Sequence, residues 1–175
     1  ATPGIAQRMH EVSRGEVVAL LGPSGAGKST FLTAVGLINP PTSGQILIGG
    51  TLVLDGPAAA VNLRTFRRKQ IGYVFQKSNL IPFLSARENV QVALELNGSS
   101  RRQARRRALE LLGELGVADR ADNKPSMLSG GQQQRVAVAR ALANEPSVIL
   151  ADEPTAALDS HLGRQVMELF QLVAH

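Results

Sequence analysis

The chain has 175 residues, which is enough for one domain with its own hydrophobic core. Hydrophobic residues make up 43% and charged residues 19%, a balance that argues against a disordered chain. The absence of cysteine excludes disulfides and thiolate metal sites. The net charge of +5 is compatible with phosphorylated ligands, acidic lipids or nucleic acid, and does not discriminate among them. No stretch has the roughly 20 consecutive apolar residues of a membrane-spanning helix, so we expect a soluble chain.

The first half of the chain predicts strands and one helix around glycine-rich turns. Residues 17–21 form an apolar run that predicts a strand buried on both faces of a parallel sheet, and a helix is predicted over 29–37. Residues 44–54 predict a hairpin around a Gly-Gly pair, and residues 71–75 a further strand.

The second half is mostly helical. A helical pattern runs over 85–115, with an interruption at 97–100, and a further helix is predicted over 132–143. Residues 148–151 predict a second buried strand, and Ser160 is expected to cap a last helix. The sequence therefore predicts an α/β fold with a parallel sheet, a small antiparallel part and an inserted helical subdomain.

A phosphate-binding loop follows the first predicted strand and precedes the first helix. Its glycines let successive backbone N–H groups face phosphate oxygens, and the helix start adds the positive end of its dipole. We expect Lys28 to reach the β- and γ-phosphates and the Ser29 hydroxyl to bind Mg²⁺. The residues predicted to hold the nucleotide are Gly22, Pro23, Ser24, Gly25, Ala26, Gly27, Lys28, Ser29 and Thr30.

Two adjacent carboxylates end the strand predicted at 148–151. Asp152 is expected beside the Mg²⁺ that Ser29 binds, and Glu153 is placed to orient or deprotonate an attacking water. Together with the phosphate loop, this pair predicts a P-loop NTPase.

A second helix start could also bind an anion. Ser129, Gly130, Gly131 and Gln132 open the helix predicted over 132–143 without bulky side chains. The chain already has one phosphate site, so the economical role for this one is to hold nucleotide bound to another subunit. A simple capped helix is the alternative.

These motifs, in this order, resemble those of ABC ATPases over nearly the whole chain. The resemblance implies head-to-tail dimers, most simply homodimers, in which residues 129–132 of one subunit meet the nucleotide on the other. It also implies that the segment 77–84 meets a membrane permease. The matching motifs are residues 22–30, Gln76, 128–132, 150–153 and 157–159.

The same resemblance assigns roles. Catalysis would rest on Glu153, Gln76 and Lys28, with Ser29, Gln76 and Asp152 as Mg²⁺ ligands and Asp159 near the opposite phosphate loop. ATP and Mg²⁺ are the implied cofactors, a second ATPase subunit and transmembrane permease subunits the implied partners, and the cytoplasmic face of the membrane the implied location. Nucleic acid is not expected as a partner. The implied division is a core of residues 1–84 and 146–175 and a helical subdomain of residues 85–145.

Three segments resemble the ATPases of lipoprotein-releasing, macrolide-exporting and glycolipid-exporting systems, which points to a force-transmitting exporter. They are residues 71–76, 79–82 and 88–90. Amino-acid importers share much of this pattern, so import stays open.

Two parts of the family pattern are missing. Residues 1–21 contain no aromatic side chain to stack on adenine, and His10 is more simply a surface residue. The family's switch histidine is also absent, because His175 belongs to the last predicted helix. The resemblance therefore implies a domain truncated at its C-terminus, and we expect these 175 residues alone to bind nucleotide poorly and hydrolyse it slowly or not at all.

Two alternatives to a transporter motor stay open. One is a soluble ABC ATPase that acts on nucleic acid or ribosomes, which the arginines within 101–107 superficially suggest. However, Ala104, Ala108, Leu109, Leu111 and Leu112 give that helix an apolar side, which favours a solvated helix face, with anionic lipid contact a further option. The other alternative is an inactive remnant.

Overall fold

The computed structural model describes residues 11–23 and 25–152, together with Arg164 and Glu168. The helices are α1 (Lys28–Val35), α2 (Leu63–Gln70), α3 (Ala86–Glu95), α4 (Arg101–Glu114) and α5 (Gly130–Leu142). The strands are β1 (Gln45–Ile48), β2 (Thr51–Asp55), β3 (Ala58–Ala59), β4 (Ile71–Val74) and β5 (Val148–Ala151). Short 3₁₀ turns lie at Ala118–Arg120 and Pro125–Met127. None of the helices in the described ranges has the length and apolar character needed to span a bilayer.

Strands β1, β2 and β3 form a small antiparallel sheet, as the Gly-Gly pair predicts. Ile48 pairs with Thr51, which leaves only Gly49 and Gly50 in the turn. Both glycines have positive φ, 58° and 75°, the requirement of a type I′ hairpin turn. The inner face of this sheet buries Val53 and Leu54 completely.

Strands β4 and β5 lie side by side in parallel, in register from Ile71 opposite Val148 to Val74 opposite Ala151. The ladder continues one step further, because the Asp152 N–H donates to the Val74 carbonyl oxygen over 3.0 Å. Parallel strands present their carboxyl ends at one edge of a sheet, and ligands bind at such edges. Asp152 and Gln76 therefore follow their strands at the same edge.

Helices α3, α4 and α5 pack around a shared apolar core into which Val74 of β4 also projects. Each of these helices begins at a capping box, in which a serine and the side chain three residues later satisfy each other's backbone N–H groups. The three pairs are Ser85 with Glu88, Ser100 with Gln103, and Ser129 with Gln132. Local hydrogen bonds thus fix where all three helices start.

The arginine-rich face of α4 carries its own counter-charges. Arg107 lies 3.3 Å from Glu114, and Arg106 lies 3.6 Å from Glu110 on the same helix. Ala104 and Ala108 on the opposite side are fully buried, although Leu109 is exposed. This arrangement favours a solvated helix face.

The prediction of a buried strand at residues 17–21 is wrong for the described structure. These residues are in no strand, and Val18 and Leu21 are 51% and 92% exposed. An apolar run becomes a strand only beside a hydrogen-bonding neighbour, and no described strand pairs with residues 17–21.

The other element boundaries differ by a few residues. Helix α1 ends before Leu37, which is buried with a φ of 57° and so turns the chain out of the helix. Helix α5 begins at Gly130, because Ser129 caps it. The predicted helix after Ser160 lies outside the described residues.

Candidate nucleotide-binding site

The phosphate loop curls between Gly22 and α1. Gly25 and Gly27 have φ values of 82° and 88°, a left-handed conformation that favours glycine, and the Ala26 N–H donates to the Pro23 carbonyl oxygen over 3.2 Å. The Lys28 ammonium donates to the carbonyl oxygens of Gly22 and Pro23 over 2.8 and 3.0 Å. The lysine therefore lies across the loop, with its charge where phosphate oxygens would bind. Ser24 lies outside the described residues.

The first turn of α1 meets the carboxyl edge of the parallel strands. The Ser29 hydroxyl donates to Asp152 Oδ1 over 3.3 Å, although the two residues are far apart in sequence. Gln76 follows β4 at the same edge and is exposed. Phosphate loop and acidic strand end thus converge, as the sequence predicts.

The oxygen donors at this edge fit Mg²⁺. Mg²⁺ takes hard oxygen ligands at about 2.1 Å in octahedral geometry, so two adjacent ligands lie about 3 Å apart. The Ser29–Asp152 separation of 3.3 Å is close to that spacing. A hydroxyl, a carboxylate and the amide of Gln76 are a suitable partial set for an ion that also binds nucleotide phosphates.

An aromatic pair lies at the end of strand β4, close to the carboxyl edge of the parallel sheet. The rings of Tyr73 and Phe75 stack with centroids 4.3 Å apart. Burial, together with the nearby Asp152 carboxylate, raises the pKa of Tyr73 above its ordinary value. Tyr73 therefore stays a neutral phenol beside the acidic strand end.

The second helix start predicted from sequence is a capped helix with an open first turn. The Ser129 hydroxyl accepts from the Gln132 N–H over 3.3 Å, and Gln132 Oε1 accepts from the Ser129 N–H over 2.9 Å. Ser129 and Gly130 are exposed, and no atom beyond the neighbouring residues and the α5 backbone lies within 4 Å of the position that a Gly130 Cβ would occupy. The Ser129 O–H hydrogen is not used by the cap, because the hydroxyl oxygen acts there as an acceptor.

Comparison with known proteins identifies the family. The profile of the ABC transporter family matches residues 7–156. The chain belongs to this family. It is an ATPase subunit of the kind that hydrolyses ATP to power transport, as the sequence motifs predict. That these 175 residues alone hydrolyse ATP slowly or not at all stays a prediction.

Named relatives of this ABC ATPase come from lipoprotein-release and macrolide-export systems. It is 47% identical to the lipoprotein-releasing system ATP-binding protein LolD of Bacteroides thetaiotaomicron, over 91% of this chain and 72% of that protein. It is also 47% identical to the macrolide export ATP-binding/permease protein MacB of Burkholderia pseudomallei, over 91% of this chain but 24% of that protein.

Solved ABC cassettes share the fold. A dimeric, post-hydrolysis structure of the ATP-binding cassette MJ0796, bound to ADP and Pi, superposes with a TM-score of 0.83 at 44% identity, covering 95% of this chain and 72% of that one. The predicted fold class is therefore confirmed.

The structure brings some of the predicted ABC ATPase residues together and keeps others apart. Lys28, Ser29 and Asp152 converge at one edge. Within the described ranges, no hydrogen bond or ion pair joins residues 129–132 to residues 22–30. Glu153 and Asp159 lie outside the described residues, as do His10 and His175.

Sequence reasoning missed a group of polar side chains around α5, which we call the signature helix because it begins in the signature motif, residues 128–132. Arg140 and Gln133 of α5 hydrogen-bond to residues 78 and 79, just after Gln76. Asn89 of α3 is fully buried and binds backbone groups of residues 81–85. The available signal was one arginine within an otherwise apolar stretch, residues 136–143, where a charge needs a specific partner.

Proposed function

We propose that this ABC ATPase powers an exporter-type transporter through ATP-driven, head-to-tail pairing of two copies. Two features of one molecule support the pairing: a phosphate loop with its acidic edge, and a separate, exposed helix start at Ser129. The names of the relatives, which specify lipoprotein release and macrolide export, support the exporter type. The membrane partner we propose is a permease, which would hold the chain at the cytoplasmic face.

Each copy would bind ATP on its own phosphate loop. Lys28 would turn from the Gly22 and Pro23 carbonyl oxygens to the β- and γ-phosphates, and N–H groups of residues 25–30 would hold the phosphate oxygens. Ser29, Asp152 and Gln76 would hold Mg²⁺, which neutralises charge developing on the phosphates. Glu153 would orient and deprotonate the attacking water, with Gln76 beside it.

The partner copy would complete the site. Its Ser129 hydroxyl and the N–H groups of its Gly130 and Gly131 would hydrogen-bond to the γ-phosphate at the positive end of the α5 dipole. ADP lacks the phosphate that reaches these groups, so ATP would favour the closed pair and hydrolysis would reopen it. Asp159 would lie near the opposite phosphate loop. We also propose that residues 85–145 form the helical subdomain, with residues 1–84 and 146–175 as the core.

The test uses a variant that binds ATP but cannot hydrolyse it. We expect Glu153→Gln, in a protein that also carries the family's switch-histidine segment, to form a dimer with ATP and Mg²⁺ and to remain monomeric with ADP, because only ATP bridges two copies. Analytical ultracentrifugation measures the mass. A monomer at saturating ATP would overturn the proposal.

The ATP-bound variant should lose its dimer when Mg²⁺ is chelated. Ser29→Ala should raise the Mg²⁺ concentration needed for dimerisation, whereas Thr33→Ala, one turn further along the same helix, should not. An unchanged Mg²⁺ requirement in Ser29→Ala would remove Ser29 from the proposed ligand set.

A further inference from the structure

The segment 77–84, which follows Gln76, is fastened to α5 by two side chains. The Arg140 guanidinium donates one N–H to the Ser78 carbonyl oxygen and another to the Asn79 carbonyl oxygen, each over 2.8 Å. Gln133 Oε1 accepts from the Ser78 hydroxyl over 3.1 Å. Arg140 and Gln133 are seven residues apart, about two helical turns, so they lie on the same face of α5.

Gln133 also holds the chain that leads into the signature motif. Its Nε2 donates to the carbonyl oxygens of Pro125 and Leu128 over 3.0 and 3.2 Å. Leu128 directly precedes Ser129. One side chain therefore contacts both the segment 77–84 and the approach to the signature serine.

The other end of the segment is pinned by Asn89. Its Oδ1 accepts from the Ile81 N–H over 2.7 Å, and its Nδ2 donates to the carbonyl oxygens of Ile81, Leu84 and Ser85 over 3.0 to 3.2 Å. Phe83 between these contacts is 72% exposed. The segment thus presents an apolar side chain outward while its backbone is held at both ends.

Arg140 occupies a position that is costly for a charge. Burial lowers the pKa of its guanidinium, and no described carboxylate forms an ion pair with it. Its guanidinium offsets the cost of burying the charge by donating two charge-assisted hydrogen bonds to the carbonyl oxygens of successive residues. A lysine ammonium cannot reproduce this planar, forked geometry. One of these carbonyls belongs to Asn79, whose φ of 45° is left-handed. The contact therefore fixes one unusual backbone geometry.

We infer that Arg140 and Gln133 are positioning residues that fasten the segment 77–84 to the signature helix, so that a displacement of this segment moves Ser129 with it. The transmission part of this inference rests on the proposed function, in which the segment meets a permease and Ser129 meets the partner's ATP. The fastening part depends neither on a permease contact nor on the partner's ATP.

Spin labels test the fastening directly. These 175 residues contain no cysteine, so single cysteines can be introduced at Lys77 and Met127, both exposed, and spin-labelled. In the otherwise wild-type protein we expect a narrow distribution of the distance between the two labels. In Arg140→Gln the distribution should be about twofold broader or more, because each buried hydrogen bond that is lost reduces local order. Arg140→Lys should fall between the two.

Arg135→Gln is the matched control. Arg135 is also on α5 and its guanidinium donates to a backbone carbonyl oxygen, that of Leu115, over 3.5 Å, away from the segment 77–84. Its substitution should leave the distribution narrow. An unchanged distribution in Arg140→Gln, or equal broadening in Arg135→Gln, would overturn the inference. Should Arg140→Gln fail to fold, Ser78→Ala tests the Gln133 part of the fastening, because it removes only the hydroxyl bond to Gln133 Oε1. An unchanged distribution in Ser78→Ala would overturn that part.

The transmission is tested in the assembled transporter. Arg140→Gln should reduce the stimulation of ATPase activity by the permease between about twofold and thirtyfold, the range that coupling residues show. The KM for ATP should stay within about twofold, because Arg140 does not contact the nucleotide site. Unchanged stimulation would overturn the transmission. The spin-label result does not depend on ATP-driven dimerisation, so failure of the two proposals can be told apart.

Discussion

Gly72 lies where α5 crosses strand β4. A Cβ added at this residue would be 2.5 Å from the Ala141 carbonyl oxygen and 3.1 Å from the Pro146 side chain. A backbone carbonyl cannot move aside as a flexible side chain can. The absence of a side chain at Gly72 therefore sets how closely the signature helix approaches the strand that leads to Gln76.

We predict that Gly72→Ala destabilises the protein by about 1–3 kcal/mol, the usual cost of inserting a methyl group into a packed interior. The matched control is Gly113→Ala on α4, where no atom beyond the neighbouring residues and the α4 backbone lies within 4 Å of the added Cβ. This change should stabilise the protein by about 0.5–1 kcal/mol, since alanine is the better helix former. Urea denaturation measures both, and a neutral Gly72→Ala would contradict the close approach.

Single residues also mark the limit of prediction from sequence. The proximity of Ser29 and Asp152 could be predicted, because a phosphate loop and an acidic strand end meet at the carboxyl edge of a parallel sheet. The contacts of Arg140 could not, because they depend on an irregular segment whose path no periodicity describes. The two adjacent glycines of the hairpin were informative because few other residues adopt positive φ twice in succession.

At the scale of elements, short-range hydrogen bonds define helix starts more firmly than hydrophobic patterns do. Helix α2 was not predicted, since it has no fully buried residue and carries three basic residues in its last turn. Its start is nevertheless encoded in Asn62, whose side chain accepts from the Thr65 N–H. Conversely, residues 17–21 have a strong apolar pattern, but no described strand pairs with them. Their pattern alone was misleading because strand pairing depends on residues distant in sequence.

The capping box of α3 should make stability depend on pH. The Ser85 backbone N–H is the main cause that lowers the pKa of Glu88 in the folded protein, so the folded state holds this proton less tightly than the unfolded state. The stabilisation is present above the ordinary glutamate pKa of about 4.3 and is lost as the pH falls through the lowered folded value.

We therefore predict that the free energy of unfolding falls less between neutral and acidic pH in Glu88→Gln than in the wild type. The glutamine keeps the hydrogen bond from the Ser85 N–H but has no proton to gain. Ser85→Ala should cost about 1 kcal/mol at neutral pH through loss of the cap. The control is Gln103→Glu in the equivalent box of α4, which should add acid sensitivity. Urea denaturation across pH measures these effects, and parallel pH profiles for wild type and Glu88→Gln would contradict the assignment.

At the scale of the whole molecule, the two halves of the proposed ATP site are separate features of one chain. Lys28, Ser29 and Asp152 converge at the sheet edge, whereas Ser129 begins a helix in the lobe formed by α3, α4 and α5. Local hydrogen bonds account for the conformation of each half: Lys28 binds carbonyl oxygens of the phosphate loop, and Ser129 and Gln132 cap helix α5. The proposed head-to-tail dimer therefore requires that the Ser129 helix start, in addition to being capped, contacts the ATP of a partner.

The three equivalent capping boxes allow this claim to be isolated. Aspartate caps helices about as well as serine, so Ser129→Asp keeps α5 but places a negative charge where the partner's γ-phosphate would bind. Ser100→Asp makes the same change at the start of α4, a helix start that has no role in the proposed dimer. The decisive measurement is the mass of each variant in the Glu153→Gln background with ATP and Mg²⁺. The account predicts monomers for Ser129→Asp and dimers for Ser100→Asp, and dimers of both would contradict it.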